Sequence, residues 1–259
     1  METDTPHEID TSIFSVGAVL AHSFSTFFTH PFVFLGLSIL AQVPGFVLMI
    51  TMRNSLTKAW ITLIVNFIFG LAIQGAIAYG VYEVLRGDAA RFGKSLSRGM
   101  ARVIPLTFAV LSYSMFLNLV FFGGVALAGV MGRLSAVLIV PSMLLILLAL
   151  WCKWIVFVPA CVVERLGPIM SLNRSSDLTK GCRLKIAAIY LLYFVIALAV
   201  GFVFAFFTKK FNSIVLVVLQ QFVYAALMAL GHVTTAVIYY GLREVKEGVG
   251  IEQLANVFD

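Results

Sequence analysis

The sequence predicts an all-α integral membrane protein with six transmembrane helices, three amphipathic interfacial helices and a three-fold internal repeat of helix pairs. Three observations carry that reading. Apolar runs of about 20 residues recur, enough to cross a hydrocarbon core of about 30 Å. The chain is 61% hydrophobic and only 12% charged, where a soluble domain is about half apolar and a quarter charged. The polar intervals between the runs share motifs at a spacing near 80 residues.

In chain order, residues 1–11 form an acidic tail, with Asp10 or Thr11 placed to cap the helix that follows. No Lys or Arg precedes Arg53, so the N-terminal stretch lacks the basic leading region of a signal peptide. Residues 12–30 read as an amphipathic helix in the interface plane. Ile13, Val16, Leu20, Phe24, Phe27 and Phe28 fall on one side, and His22, Ser23, Ser25 and Thr26 on the other. Span one covers 32–52, with Pro44-Gly45 expected to break it, and span two covers 60–82. A second amphipathic helix then puts Arg91, Lys94, Arg98 and Arg102 opposite Phe92, Leu96 and Met100. Span three ends near Gly132. Span four, 134–163, is overlong, so it must tilt, kink at Pro141 or Pro159, or project beyond the bilayer. A third polar interval, Val163–Ile186, carries seven of the chain's thirty charged residues. Spans five and six cover 186–207 and 213–241, and a polar tail follows.

Basic residues set the expected orientation. The intervals after spans two, four and six hold twelve Lys and Arg; the opposite turns hold five. The positive-inside rule then puts both termini of this multi-pass chain in the cytoplasm. The net charge of +6 is thereby explained beside membrane spans and does not point to nucleic acid.

The repeat rests on short matches. Tyr79–Gly87 and Tyr240–Gly248 share five identities in nine positions, and Glu83, Glu164 and Glu244 are spaced 81 and 80 apart at the inner ends of even-numbered spans. Leu96-Ser97-Arg98-Gly99 matches Leu178-Thr179-Lys180-Gly181. The simplest account is a single membrane domain, 1–259, of three units: 12–87, 88–167 and 168–248, followed by a cytoplasmic tail, 249–259. A glutamate beside a basic helix can accept charge-assisted hydrogen bonds and fasten that helix to the span.

The stretch from Glu164 through Gly167, Ser171, Leu172, Arg174, Ser175 and Leu178 to Gly181 resembles a block of the YciC-like bacterial membrane proteins. That group is related to the membrane-domain family fused to some glycerophosphodiester phosphodiesterases. Phe92–Gly99, F-x-x-S-L-x-R-G, is similar to the family's earlier block. The resemblance implies a six-span inner-membrane protein with no established activity. The fused phosphodiesterase domain has no counterpart here.

The chemistry of catalysis is thinly represented. His7, His22, His30 and His232 are scattered, and no HExxH, P-loop or nucleophile elbow occurs. No catalytic, cofactor or metal site is expected. Cys152, Cys161 and Cys182 read as free thiols, without CxxC spacing. Two functions remain. In the first, Arg91, Lys94, Arg98, Arg102, Arg174, Lys180, Arg183 and Lys185 form a cytoplasmic collar for anionic phospholipid head groups. The protein then acts through membrane lipids, a membrane-protein partner or a second copy of itself, in envelope homeostasis. In the alternative, a transporter or channel-like protein for a small solute or lipid, the intramembrane polar residues Lys153, Gln74, Asn118 and His232 line a site.

Overall fold

In a computed structural model of the chain, residues 14–51, 56–211 and 214–248 are described. The two tails, 1–11 and 249–259, and the caps expected at Asp10 and Thr11 lie outside those residues. The described chain is helical, with no strand. Three short helices each precede two long ones: α1 (Val16–Thr29) before α2 (Pro31–Thr51) and α3 (Leu56–Leu85), then α4 (Phe92–Met100) before α5 (Val103–Met131) and α6 (Arg133–Trp154). Helix α6 is extended by α7 (Phe157–Val163). Finally α8 (Pro168–Thr179) precedes α9 (Arg183–Phe211) and α10 (Ile214–Glu247). Six segments are long and apolar enough to cross a membrane: Pro31–Leu48, Leu56–Leu85, Val103–Met131, Val137–Val163, Arg183–Thr208 and Val215–Glu247. The all-α class and the number of spans therefore agree with the sequence reading.

The core gathers at one end. Fully buried side chains include Phe34, Leu37, Ile73, Ile77, Leu106, Ile186, Tyr239 and Leu242, all in the halves of the spans nearer α4 and α8. Toward the opposite turns, Phe121, Leu138, Leu145, Phe202 and Val215 are exposed. For a chain crossing lipid, such exposure carries no hydrophobic penalty, because lipid tails are as apolar as leucine.

Of three local expectations, two are corrected and one, a break in span four near Pro159, is met. Helix α2 runs through Pro44-Gly45 without a break. Gly45 instead makes room for Asn66: a Cβ there would meet its side chain at 2.3 Å. The overlong fourth span breaks at Ile155–Val156, between α6 and α7, four residues before Pro159. Proline has no N–H for the carbonyl four residues back and its ring crowds that carbonyl; Pro141 stays inside α6. On α1, capped by Ser15, the buried stripe is Val19, Ser23, Thr26 and Phe27. Ser23 and Thr26, of the polar side, are thus packed inward, while Phe24 and Phe28, of the apolar side, are 45% and 67% exposed. Ser23 tolerates burial because its hydroxyl donates to the Val19 carbonyl at 2.7 Å.

Candidate functional site

At two places the charged end pairs a span's terminal carboxylate with a base on the short helix that follows. At the end of α3, Glu83 is 3% exposed and accepts from Lys94 of α4 at 2.7 Å. That hydrogen bond holds the Lys94 ammonium above the ordinary lysine range. The other Glu83 oxygen, Oε2, has no hydrogen-bond partner among the described residues. Lys94 and Arg98 also lie over the Tyr79 ring, 5.8 and 5.7 Å from its centroid.

The α3–α4 contact is close because Gly99 has no side chain. A Cβ at Gly99 would lie 2.3 Å from the Ala72 carbonyl and 2.5 Å from the Ala76 nitrogen. Ser95 and Gly99 are accordingly the buried residues of α4, while Arg91, Lys94 and Arg98 are exposed.

The second assembly is larger. Glu164, which follows α7, accepts the Arg174 Nε–H of α8 at 3.0 Å on each oxygen. It also accepts the Tyr239 hydroxyl of α10 at 2.5 Å. Arg243 stands 3.7 Å from the same carboxylate and donates to Glu247 at 2.9 Å. Arg174 reaches Glu247 through Nη2. Two carboxylates, two guanidinia and a phenol thus close a network across α7, α8 and α10. Because charges removed from water need such complete pairing, the network fixes three elements at one point.

Beside it, Ser175 and Thr179 of α8 donate to the Lys153 carbonyl at 3.0 and 3.1 Å. That carbonyl lies at the end of α6, where the break leaves helix-terminal acceptors without intrahelical donors. Both hydroxyl residues are fully buried. The serine and threonine of the Arg174–Thr179 motif therefore cap a broken span. Replacing them together (Ser175→Ala with Thr179→Val) is expected to cost about 1–3 kcal/mol, the penalty of an orphaned buried acceptor. Equilibrium unfolding in detergent measures it.

The collar residues divide accordingly. Arg174, expected in the collar, is turned inward to Glu164 and Glu247. Lys180 pairs with Asp177 at 2.8 Å. Arg102, Arg183 and Lys185 are half-buried. Glu244, expected to match Glu83 and Glu164, is exposed; Glu247 and Arg243 take the inward positions instead. Tyr239, Glu247, Ser175 and Thr179 had no place in the sequence-based site.

The intramembrane candidates do not converge. Lys153 is half-buried, with its ammonium 5.0 Å from the Trp154 ring centroid. Gln74 and His232 are half-buried on α3 and α10. Asn118 is exposed and donates to the Ser114 carbonyl of its own helix at 2.8 Å. A groove of about 490 Å³ between α5 and α6 is lined by Asn118, Phe121, Leu148 and Trp151, among others. A second, of about 340 Å³, is lined by Gly124, Leu127, Leu138 and Met143, among others. Lys153, Gln74 and His232 line neither groove. Among the described residues, no three His, Cys, Asp or Glu come together as metal ligands.

No family model, curated protein or solved structure matches this chain. Fold and site define it as a multi-pass helical membrane protein with an ion-paired end.

Proposed function

We propose that the protein is a non-catalytic component of the bacterial inner membrane that works through lipid or protein contacts at its charged end, with both termini in the cytoplasm. The supporting observation is the division of charge at that end. Glu83, Glu164 and Glu247 are drawn into pairs with Lys94, Arg174 and Arg243, while Arg91 and Arg98 stay exposed on α4. A surface with that excess attracts anionic head groups. Kinship with the YciC-like group and a three-unit repeat belong to the same proposal. The order of one short helix before each long pair supports the repeat.

Charge reversal tests the reading. The Arg98→Glu, Lys180→Glu variant is expected to retain less phosphatidylglycerol relative to phosphatidylcholine, measured by native mass spectrometry from mixed micelles. Arg98 is expected to carry most of the change, since Lys180 is already paired with Asp177. An unaltered lipid preference would contradict the proposal.

A further inference from the structure

The cations of α4 are arranged differently from those of α8. On α8, Arg174 and Lys180 each face a carboxylate. On α4, Lys94 and Arg98 stand one turn apart on the same face, a like-charge spacing that by itself destabilises a helix. Both reach over the ring of Tyr79, and the one carboxylate that an ion pair brings to them is Glu83, on Lys94, among the described residues. From Glu83 to Arg102 the chain carries five basic residues against two acidic ones. The pair is therefore short of one negative charge at a fixed place, with an aromatic floor and a phenol at its edge.

The flanks of α4 are apolar. Phe92 and Met100 are 39% and 50% exposed, and Ile104, one turn further on, is 71% exposed. Cations over an aromatic ring with hydrocarbon on both sides suit an ester of phosphate that carries acyl chains. The geometry points to a discrete phosphate site at Tyr79, Lys94 and Arg98 that takes the head group of an anionic glycerophospholipid. This rests on the lipid-contact reading above and narrows it from a diffuse surface to one place. Arg98 supplies the planar donor fork matched to phosphate oxygens, and Lys94, fixed by Glu83, supplies a second charge.

The test uses the full chain in detergent, with phosphatidylglycerol and phosphatidylcholine as probes in native mass spectrometry. Arg98→Gln is expected to lower retention of one phosphatidylglycerol about tenfold, the loss of one hydrogen bond to a charged group. Arg91→Gln, on the same helix and also exposed, belongs to the diffuse surface but not to the discrete site, and is expected to lower retention by no more than about twofold, as for a screened surface charge. Tyr79→Leu is expected to act in the direction of Arg98→Gln, and thermal unfolding reports whether each variant is folded. Equal, small losses for Arg98→Gln and Arg91→Gln would overturn the discrete site while leaving the lipid-contact reading intact. No preference for phosphatidylglycerol in the unaltered chain would overturn both. Glycerol 3-phosphate is expected not to displace the bound lipid; displacement would assign the site to a soluble phosphate and overturn the lipid assignment.

Discussion

Glu164→Gln is expected to destabilise the folded chain by about 1.5–3 kcal/mol, the range for hydrogen bonds to a charged group. The ion pair it breaks is half-buried, and so falls short of the larger cost of a fully buried one. The substitution keeps the side chain's size and removes its charge. Arg174, Arg243 and Tyr239, all directed at this carboxylate, are left with Glu247 as the remaining anion of the network. Arg243 is 9% exposed and so has little recourse to water. Glu244→Gln is the matched control: the same change, one turn before Glu247, at an exposed position, where about 0.5 kcal/mol or less is expected. Unfolding in a denaturing-detergent titration compares the two. Similar effects at both positions would show that the network does not fasten α7, α8 and α10.

The second large effect is expected at Gly99. An alanine methyl would press on backbone atoms of α3, at 2.3 and 2.5 Å, and backbone cannot swing aside as a side-chain tip does. Overpacking of this kind costs about 1–3 kcal/mol. Helix α4 would have to lift from α3, carrying Lys94 away from Glu83. Gly93, on the same short helix, has nothing within 4 Å of its Cβ position. Gly93→Ala is therefore expected to be neutral or to stabilise by about 0.5–1 kcal/mol through helix propensity. The same titration distinguishes them, and the sign should differ between two glycines six residues apart.

The six spans were legible in the sequence because apolar run length maps directly onto membrane thickness. Glu164 was legible as an anchor because its basic partner Arg174 is only ten residues away. Tyr239 and Glu247 were not: they reach Arg174 or Glu164 from the far end of α10, and nothing local marks such pairings. The repeat directed attention to Glu244, one helical turn short of the side chain that faces inward. Alignment sets sequence register but not which side of a helix meets its neighbours. Pro141 and Pro159 were equivalent as letters, yet only the second accompanies a break, where Ser175 and Thr179 meet a freed carbonyl. Helix α1 shows the most general obstacle. Amphipathic reasoning sorts residues into a polar and an apolar side but does not say which side meets the other helices. Against lipid, Phe24 and Phe28 are at no disadvantage outside, while small polar residues such as Ser23 allow close helix contact.

Which side of the membrane the ion-paired end faces is open to one direct measurement. Asn173 is exposed on α8, and the native cysteines Cys152, Cys161 and Cys182 are all buried. In whole cells producing the Asn173→Cys chain, a membrane-impermeant maleimide is expected to leave the protein unlabelled until the inner membrane is permeabilised, and then to label it fully. Labelling of intact spheroplasts from outside would place the charged end on the periplasmic side and contradict the proposed cytoplasmic working face.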